Sequence, residues 1–304
     1  MDVVTGAFGY IGKYIAKRLL TQGRDVCTIT THPTKPNPFG NSVKAYPYAF
    51  NDPAVLTQTL SGAETLYNTY WIRFEYGELT YEKALENTRI LFECAKKAGV
   101  KRIVHISATH ASVDSDLPYY RAKGLLEAML SRLGVPYAIV RPTVVFGAED
   151  ILINNIAWMI RTFPVFPVPG SGRYRMQPVF VEDLAEITVA QAAGPSGVTI
   201  DAVGPEILTY EEIARLIAQR IGRKPLFLYV PPIAGILGGR LLGFFLRDVV
   251  LTRNELRGLM REYLTSSQTP NATTRFSEWL EANKTTVGTR YSSEIARHFR
   301  WPST

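Results

Sequence analysis

The chain contains only two cysteines, Cys27 and Cys94, and both stand among apolar residues. A disulfide framework needs more cysteines, so the sequence excludes the small, disulfide-rich class of secreted domains. We interpret both thiols as reduced side chains of the core. A chain of 304 residues can bury a large core without such bonds. This length predicts two domains, or one domain with an appended lobe.

Concentrated charge of one sign is also missing. The formal net charge is +7, but the surplus of Lys and Arg is spread over both halves of the chain. Nucleic-acid binding generally needs a concentrated basic patch, so we predict no nucleic-acid partner. A dispersed surplus still favours an anionic cofactor or substrate. We predict a small-molecule substrate and no metal site.

Long hydrophobic runs are absent as well. The longest strongly apolar, uncharged run covers residues 225–239, and these 15 residues include three prolines and three glycines. A membrane-spanning helix needs about 20 apolar residues, so we predict no spanning segment. A strand-like start leads directly into a glycine-rich loop, which argues against a signal peptide. We therefore expect a cytoplasmic protein.

Short β-rich runs and helical stretches alternate in the first 150 residues. The predicted strands cover 2–5, 25–31, 43–46, 64–69, 102–108 and 137–141, and the predicted helices cover 10–22, 53–60, 79–98 and 118–133. Asp52 before Pro53 and the Thr-x-x-Glu pattern at Thr209 predict helix N-termini. The alternation predicts an α/β fold with a Rossmann, doubly wound parallel sheet.

The alternation of strands and helices ends near residue 150. We predict that residues 1–150 form one domain and that residues 176–204 return to it. Residues 151–175 and 205–304 would form a smaller mixed C-terminal lobe, in which we expect the substrate to bind.

The first chemical signal is the stretch TGAFGYIG, which runs from Thr5 to Gly12 between the first predicted strand and helix. Its three glycines allow a tight turn, close backbone approach to a pyrophosphate, and packing of the helix on the sheet. The helix N-terminus would direct its N–H groups at the phosphates. The residues predicted to hold a dinucleotide here are Gly6, Phe8, Gly9, Tyr10, Ile11 and Gly12.

The glycine spacing after threonine resembles the extended and atypical short-chain dehydrogenase/reductase families, which bind NAD or NADP on a Rossmann domain. An acid at the end of the second strand binds the ribose of NAD, whereas basic residues there favour NADP. This chain has Thr31 and His32 at that point, with Lys35 nearby and no acid. We therefore predict NADP as the preferred cofactor and NAD as the alternative. The resemblance also assigns cofactor contacts to Phe50, Asn68, Thr69, Pro142 and Val144.

The second signal is PYYRAKGLLE, in which Tyr119 and Lys123 stand four residues apart on one face of a predicted helix. The Lys123 ammonium would lower the pKa of the Tyr119 phenol. Tyr119 would then transfer a proton to or from a carbonyl or alcohol while a hydride moves at the nicotinamide. Lys123 would also bind the nicotinamide ribose. Tyr120, offset by about 100° on the helix, is the second choice for the acid.

The resemblance implies a third catalytic group, a hydroxyl after the fifth strand. Thr109 stands at the usual position and Ser107 lies two residues before it, so both join the candidate catalytic residues. Only ten residues separate Thr109 from Tyr119, whereas the extended enzymes have a longer loop. A purely structural role for Thr109 therefore stays open. The extended enzymes also often have an aspartate at the position of Ala49, so adenine here would rest on backbone groups and apolar packing.

The resemblance covers nearly the whole chain. The stretches HISA, RPTVVFG and RYSSEIARHF most resemble the atypical branch. That branch includes the nucleotide-binding accessory subunit of respiratory complex I and bacterial proteins described as NAD-dependent epimerases or NmrA-like. Two hypotheses follow. The first is an NAD(P)-dependent reductase, dehydrogenase or epimerase of a small carbonyl or hydroxyl compound. The second is an NADP(H)-binding protein without turnover, either a redox sensor or a subunit of an assembly.

The apolar stretch at residues 226–246 allows three interpretations. It could pack inside the second lobe, or it could line an apolar substrate pocket. It could also contact another protein or lie peripherally on a membrane surface.

Overall fold

The structure is a computed structural model that describes residues 1–299. The described residues divide into two compact units. Unit 1 consists of Met1–Pro142 and Val181–Ala202, and unit 2 consists of Thr143–Phe180 and the described residues from Val203 onward. The chain therefore leaves the first unit, returns to it once, and leaves it again.

Strands and helices alternate through the first part of unit 1. In chain order the elements are β1 (Asp2–Thr5), α1 (Tyr10–Thr21), β2 (Val26–Thr30), a 3₁₀ turn (Gly40–Ser42), β3 (Val43–Pro47), α2 (Pro53–Leu60), β4 (Thr65–Asn68), α3 (Tyr81–Lys97), β5 (Arg102–Ile106), α4 (Pro118–Arg132) and β6 (Tyr137–Pro142).

The remaining described elements lie in unit 2, except for one helix and one strand that return to unit 1. They are β7 (Val144–Phe146), α5 (Leu152–Thr162), β8 (Val165–Pro169), β9 (Arg175–Met176), β10 (Pro178–Phe180), the returning α6 (Val181–Ala190) and β11 (Val198–Ala202), then β12 (Leu208–Thr209), α7 (Tyr210–Arg220), β13 (Leu226–Val230), α8 (Pro232–Leu246), α9 (Arg253–Met260), α10 (Phe276–Asn283) and α11 (Glu294–His298).

A single seven-stranded sheet organises unit 1. Its strand order is β11-β6-β5-β4-β1-β2-β3, and every neighbouring pair is parallel. The order reverses between β1 and β4, as it does in doubly wound dinucleotide-binding folds. The predicted α/β fold class is therefore confirmed. In such sheets ligands bind beyond the carboxyl ends of the strands at the point of reversal.

Helix α1 shows how local sequence builds this fold. Its buried residues, Gly12, Ile15, Ala16 and Leu19, recur every three or four positions and form one face. This helix packs against α6, whereas α2 packs on α3 and α3 packs on α4. Beneath the helices, β1 and β2 are buried along their whole length, as strands in the middle of a parallel sheet are.

Unit 2 has a core of its own. Phe146, Phe166 and Phe276 are fully buried there, and they pack with apolar side chains of α5 and α7. Thr209 is the N-cap of α7, and its hydroxyl accepts from the backbone N–H of Glu212 while the Glu212 carboxylate accepts from the N–H of Thr209. The predicted capping box is thereby confirmed.

Every helix within residues 1–299 is too short or too polar to span a bilayer.

Candidate functional site

The glycine loop leads from β1 into α1, and two of its glycines have different structural roles. Gly6 has a φ of +64°, a conformation that favours glycine. A Cβ atom on Gly12 would lie 2.4 Å from the carbonyl oxygen of Gly6, so helix and loop approach as closely as only glycine permits. A Cβ on Gly9 would meet only that same oxygen, at 3.1 Å. The small size of Gly9 therefore leaves space for a ligand, whereas the packing of the fold depends on Gly12.

Hydrogen bonds from Thr5 join the ends of β1 and β4. Its hydroxyl donates to Asn68 Oδ1 at 3.1 Å and accepts from the backbone N–H of Thr69 at 2.7 Å. The Thr69 hydroxyl donates to the Thr5 carbonyl oxygen at 2.5 Å and lies 3.5 Å from where a Gly6 Cβ would stand. Two residues predicted to contact the cofactor, Asn68 and Thr69, are thus beside the glycine loop.

Three aromatic rings gather near Gly6, where the Tyr48 hydroxyl lies 4.0 Å from the position of a Gly6 Cβ. The ring centroids of Tyr48 and Phe50 are stacked 4.8 Å apart, and Tyr70 lies 4.8 Å from Tyr48 and 5.3 Å from Phe50. Burial raises the pKa of Tyr48 above its ordinary value. Asn87 donates to the Tyr70 hydroxyl at 2.8 Å. This wall suits the apolar packing that the sequence predicts for an adenine ring.

The residues predicted to determine the preference for NADP over NAD follow directly after β2. Thr31 is exposed, and His32 is half-buried with its backbone N–H 3.3 Å from the hydroxyl of Thr30. Lys35 donates its backbone N–H to the His32 carbonyl oxygen at 3.1 Å, which turns the loop back. A 2′-phosphate at this strand end would meet hydroxyl and imidazole groups.

Lys123 is buried against the end of β5. Only 2% of its surface is exposed, and Nζ donates to the Ile106 carbonyl oxygen at 2.9 Å. Nζ also lies 4.6 Å from the ring centroid of Trp71, within the range of a cation–π contact. Burial lowers the pKa of Lys123 to about 7, and the nearby Glu127 opposes this in smaller measure.

Tyr119 lies one turn before Lys123 in an aromatic cluster. Its ring is edge-on to Trp71 at 6.2 Å, to Tyr81 at 6.3 Å and to Tyr120 at 5.2 Å. Trp71 and Tyr81 are themselves stacked at 6.0 Å. Tyr119 is half-buried, whereas Tyr120 is 8% exposed. Of the two adjacent tyrosines, Tyr119 is the one more open to a ligand.

The two candidate hydroxyls after β5 point to different partners. Ser107 donates to the Glu127 carboxylate, which also accepts from the Arg141 guanidinium with an Nε–Oε1 distance of 2.9 Å. Thr109 is 1% exposed, and its Oγ1 lies 3.5 Å from the Pro142 carbonyl oxygen. Ser107 therefore belongs to a buried ionic cluster, and Thr109 lies beside the last residue of β6.

The short loop between β5 and α4 is folded back onto the helix. The backbone N–H of Ser112 donates to the Tyr120 carbonyl oxygen at 3.2 Å. A Cβ on Gly124 would lie 2.3 Å from the Ser112 carbonyl carbon, so glycine is needed for this approach. The loop that the sequence shows to be short thus lies directly against the helix that carries Tyr119 and Lys123.

Buried polar atoms without partners surround these groups. His105 Nδ1 lies 3.0 Å from Asn68 Nδ2. Within residues 1–299, His105 Nε2, Trp71 Nε1 and Asn87 Oδ1 find no hydrogen-bond partner. Burial, with the neighbouring Lys123 charge, lowers the pKa of His105 well below its ordinary value. Because buried polar groups are normally paired, these atoms and the open side of Gly9 fit a polar ligand such as a dinucleotide.

The structure brings most of the predicted site residues into unit 1. The glycine loop, Asn68 and Thr69 form one group, and Ser107, Tyr119 and Lys123 form another. Asn68 and Trp71, close together in sequence, contact His105 and Lys123 respectively. Val144 lies in unit 2, as the first residue of β7.

The sequence analysis did not predict that the aromatic ring of Trp71, stacked on Tyr81, lies over Lys123. Trp71 follows β4 by three residues, and Tyr81 opens α3. A signal was present, because residues 67–76 contain five aromatic side chains. It also missed the pairing of Glu127 with Arg141, which joins α4 to β6.

Most of this chain matches a known protein family. A family profile described as "NAD dependent epimerase/dehydratase family" matches residues 3–200, which is more than half of the chain.

Two mitochondrial proteins are among the similar curated sequences. "NADH dehydrogenase [ubiquinone] 1 alpha subcomplex subunit 9" of Arabidopsis thaliana is 25% identical over 76% of this chain and 60% of its own length. The "NADH-ubiquinone oxidoreductase 40 kDa subunit" of Neurospora crassa is 23% identical over 77% of this chain and 65% of its own length. The chain therefore matches less than two thirds of the length of either relative.

Solved structures show the same fold at low identity. A nucleoside-diphosphate-sugar epimerase from Staphylococcus aureus has a TM-score of 0.70 and 17% identity, covering 98% of this chain and 99% of its own. Triphenylmethane reductase from Citrobacter sp., complexed with NADP(H), has a TM-score of 0.65 and 18% identity, covering 95% and 96%. MoeE5, in complex with UDP-glucose and NAD, has a TM-score of 0.68 and 18% identity, covering 94% and 97%.

Proposed function

Because this chain belongs to the NAD dependent epimerase/dehydratase family, we propose that it is an NAD(P)-dependent oxidoreductase or epimerase-like enzyme acting on a small carbonyl or hydroxyl compound. One observation carries the proposal. Tyr119 and Lys123 stand one helical turn apart, and Lys123 is bound to the end of β5 in the unit that also holds the glycine loop. Such a pair suits proton transfer beside a bound dinucleotide.

We propose that unit 1 holds the dinucleotide and that unit 2 selects the substrate. The glycine loop and the N-terminus of α1 would hold the pyrophosphate, because N–H groups and the positive end of the helix dipole favour anions. Phe50 and its aromatic neighbours would pack on adenine. Thr31 and His32 would lie near the adenine ribose. Asn68, Thr69, Lys123 and Pro142 are the proposed contacts around the nicotinamide half.

When bound, the dinucleotide supplies the group that accepts or donates a hydride. Tyr119 would donate or accept the accompanying proton at its phenolic oxygen. Lys123 would keep its ammonium near that phenol, where positive charge favours the ionised form. The Ile106 carbonyl oxygen holds Nζ in place, and the Trp71 ring, on which Tyr81 stacks, lies over it. Thr109, or less directly Ser107, would orient the substrate oxygen.

The two glycines of the loop allow a test of cofactor binding that separates binding from folding. Gly9→Ala adds a methyl group on the side left open to a ligand, so NADP affinity should fall about tenfold or more while the Tm changes little. Gly12→Ala places its methyl group against the Gly6 carbonyl and should lower stability by about 1–3 kcal/mol. Calorimetric titration and thermal unfolding measure the two effects.

Gly238→Ala serves as the control, because a Cβ at that helical position would have no atom within 4 Å. If neither NADP nor NAD gives saturable binding to the wild-type protein, the proposed function is wrong. If Gly9→Ala binds as tightly as wild type, the pyrophosphate does not lie on this loop.

The preference for NADP is tested at the end of β2. Thr31→Asp places a carboxylate where a 2′-phosphate is expected, so NADP affinity should fall about tenfold or more by charge repulsion while NAD affinity is kept or improved. Thr21→Asp makes the same change at the exposed C-terminal end of α1 and should affect neither cofactor. Equal losses for both cofactors at Thr31 would show that the adenine ribose lies elsewhere.

A second candidate function is NADP(H) binding without turnover, as a sensor or an assembly subunit. The Arabidopsis and Neurospora relatives are named as subunits of a larger enzyme. In this chain, moreover, Lys123 is covered by Trp71 and Ser107 is bound to Glu127. A protein that binds NADP but reduces or oxidises nothing in a broad substrate panel would favour this alternative.

A further inference from the structure

Helix α8 exposes a stripe of large apolar side chains on one side. Five of its side chains, Ile233, Leu237, Leu241, Phe244 and Phe245, have exposed fractions between 58% and 77%. Their spacing of three or four residues places them along one side of the helix. A water-facing helix of a globular protein normally carries polar residues on this side.

On the opposite side of α8, Gly235 packs closely on Pro169 and Gly243 packs on the chain that follows the helix. A Cβ on Gly235 would lie 3.0 Å from the Pro169 ring, and one on Gly243 would lie 2.5 Å from the Asp248 carbonyl oxygen. Gly239 lies between them on the same side, one turn from each. The backbone therefore approaches unit 2 through its glycines, and the apolar stripe cannot turn inward without losing this contact.

The sequence on either side of α8 is rich in basic residues. Between residues 223 and 254 the chain carries five basic residues and a single acid, Asp248. Asp248 is buried, and its carboxylate accepts from the Tyr291 hydroxyl at 2.8 Å and from the N–H groups of Glu294 and Ile295 at 3.0 Å. The five basic residues are all exposed, namely Arg223, Lys224, Arg240, Arg247 and Arg253.

We propose that α8 is a membrane-surface anchor that inserts its apolar stripe into the interface of an anionic lipid bilayer. Phe and Leu side chains enter the boundary between head groups and acyl chains, while arginines nearby bind lipid phosphates. A second copy of this chain is a poorer occupant, because it would bring the same positive charge to the contact. The helix has only 15 residues, so it would lie on the bilayer.

The test is flotation of the purified protein with vesicles. Wild type should float with vesicles of phosphatidylcholine mixed with phosphatidylglycerol, and less with phosphatidylcholine alone. The double variant F244S/F245S should lower the partition coefficient about tenfold or more, because two exposed rings no longer enter the bilayer. Arg240→Gln should lower binding to the anionic vesicles about fivefold, and high salt should remove this difference.

Val55→Ser is the matched control, because Val55 is a 48% exposed apolar residue on α2. The Tm of F244S/F245S should equal that of wild type, since both rings are exposed. If this variant unfolds, Leu237→Gln replaces it. Wild-type protein that does not float with anionic vesicles would overturn the proposal, as would unchanged binding by the folded variant. So would a sedimentation result in which α8 joins two copies and neither vesicle type is bound.

Discussion

Replacing Tyr119 by phenylalanine is expected to lower kcat about 10²–10⁴-fold, the usual contribution of a positioned proton donor. The change removes one hydroxyl and keeps the ring contacts with Trp71 and Tyr81, so folding and NADP affinity should stay nearly the same. The measurement is NADPH oxidation across a panel of quinones, aldehydes and ketones, with calorimetric titration of NADP on the same preparation.

Tyr120→Phe is the matched control for this prediction. Tyr120 is adjacent in sequence but buried, so loss of its hydroxyl should leave kcat within a few-fold of wild type. If Tyr120→Phe lowers kcat strongly and Tyr119→Phe does not, Tyr120 is the acid. If wild type oxidises NADPH and both variants are equally fast, the proton comes from another group. If NADPH binds and no substrate is turned over, the non-catalytic alternative replaces the enzyme.

Lys123→Met is expected to make the protein more stable at low pH. Burial lowers the pKa of Lys123 from its ordinary 10.5 to about 7. Between these two pH values the unfolded chain binds a proton that the folded chain does not, so the free energy of unfolding rises with pH by about 1.4 kcal/mol per unit from this group. Below pH 7 the whole penalty applies, on the order of 5 kcal/mol. Methionine has a similar shape and no charge, so it removes the penalty.

Urea unfolding at several pH values tests this prediction. The stability gain of Lys123→Met over wild type should be largest near pH 6, should shrink as pH rises above 7 and should vanish near pH 10. The variant also loses the hydrogen bond to Ile106, which lowers its gain by a constant amount at every pH. Lys101→Met, at an exposed lysine, should show no such trend. A difference that is constant with pH would show that Lys123 titrates normally. NADP affinity should fall in the same variant, because the proposed ribose contact is lost.

Local signals in the sequence were enough to predict most elements of unit 1. Asp52 caps α2 as expected, with its carboxylate accepting from the N–H of Val55 at 3.2 Å. Helix α3 begins two residues later than predicted, because Thr80 is its N-cap and accepts from the N–H of Lys83. The strand predicted for 102–108 ends at Ile106. Composition indicates a strand, but its neighbours decide where the strand ends.

Contacts between residues far apart in the chain could not be predicted from the sequence. The aromatic residues around Trp71 indicate a cluster of rings, but they do not show that one ring covers Lys123, because the fold of β4, β5 and α4 brings these two residues together. The segment 151–175 was assigned to the C-terminal lobe without a predicted helix, although Ile153, Ile156 and Ile160 recur at helical spacing. It contains α5, whose N-terminus is fixed by Asp150 accepting from the N–H of Ile153 at 2.6 Å.

The returning segment of unit 1 has a consequence for synthesis on the ribosome. Strand β11 pairs with β6, and α6 packs on α1, yet both are translated after Pro142 and the intervening stretch of unit 2. At about 5–20 residues per second, the nascent chain waits several seconds with the outer edge of β6 unpaired. An exposed strand edge is a site for mispairing, so chaperone binding to nascent chains should peak between the emergence of β6 and that of β11. A chain cut after Pro142 would keep that edge permanently and should aggregate.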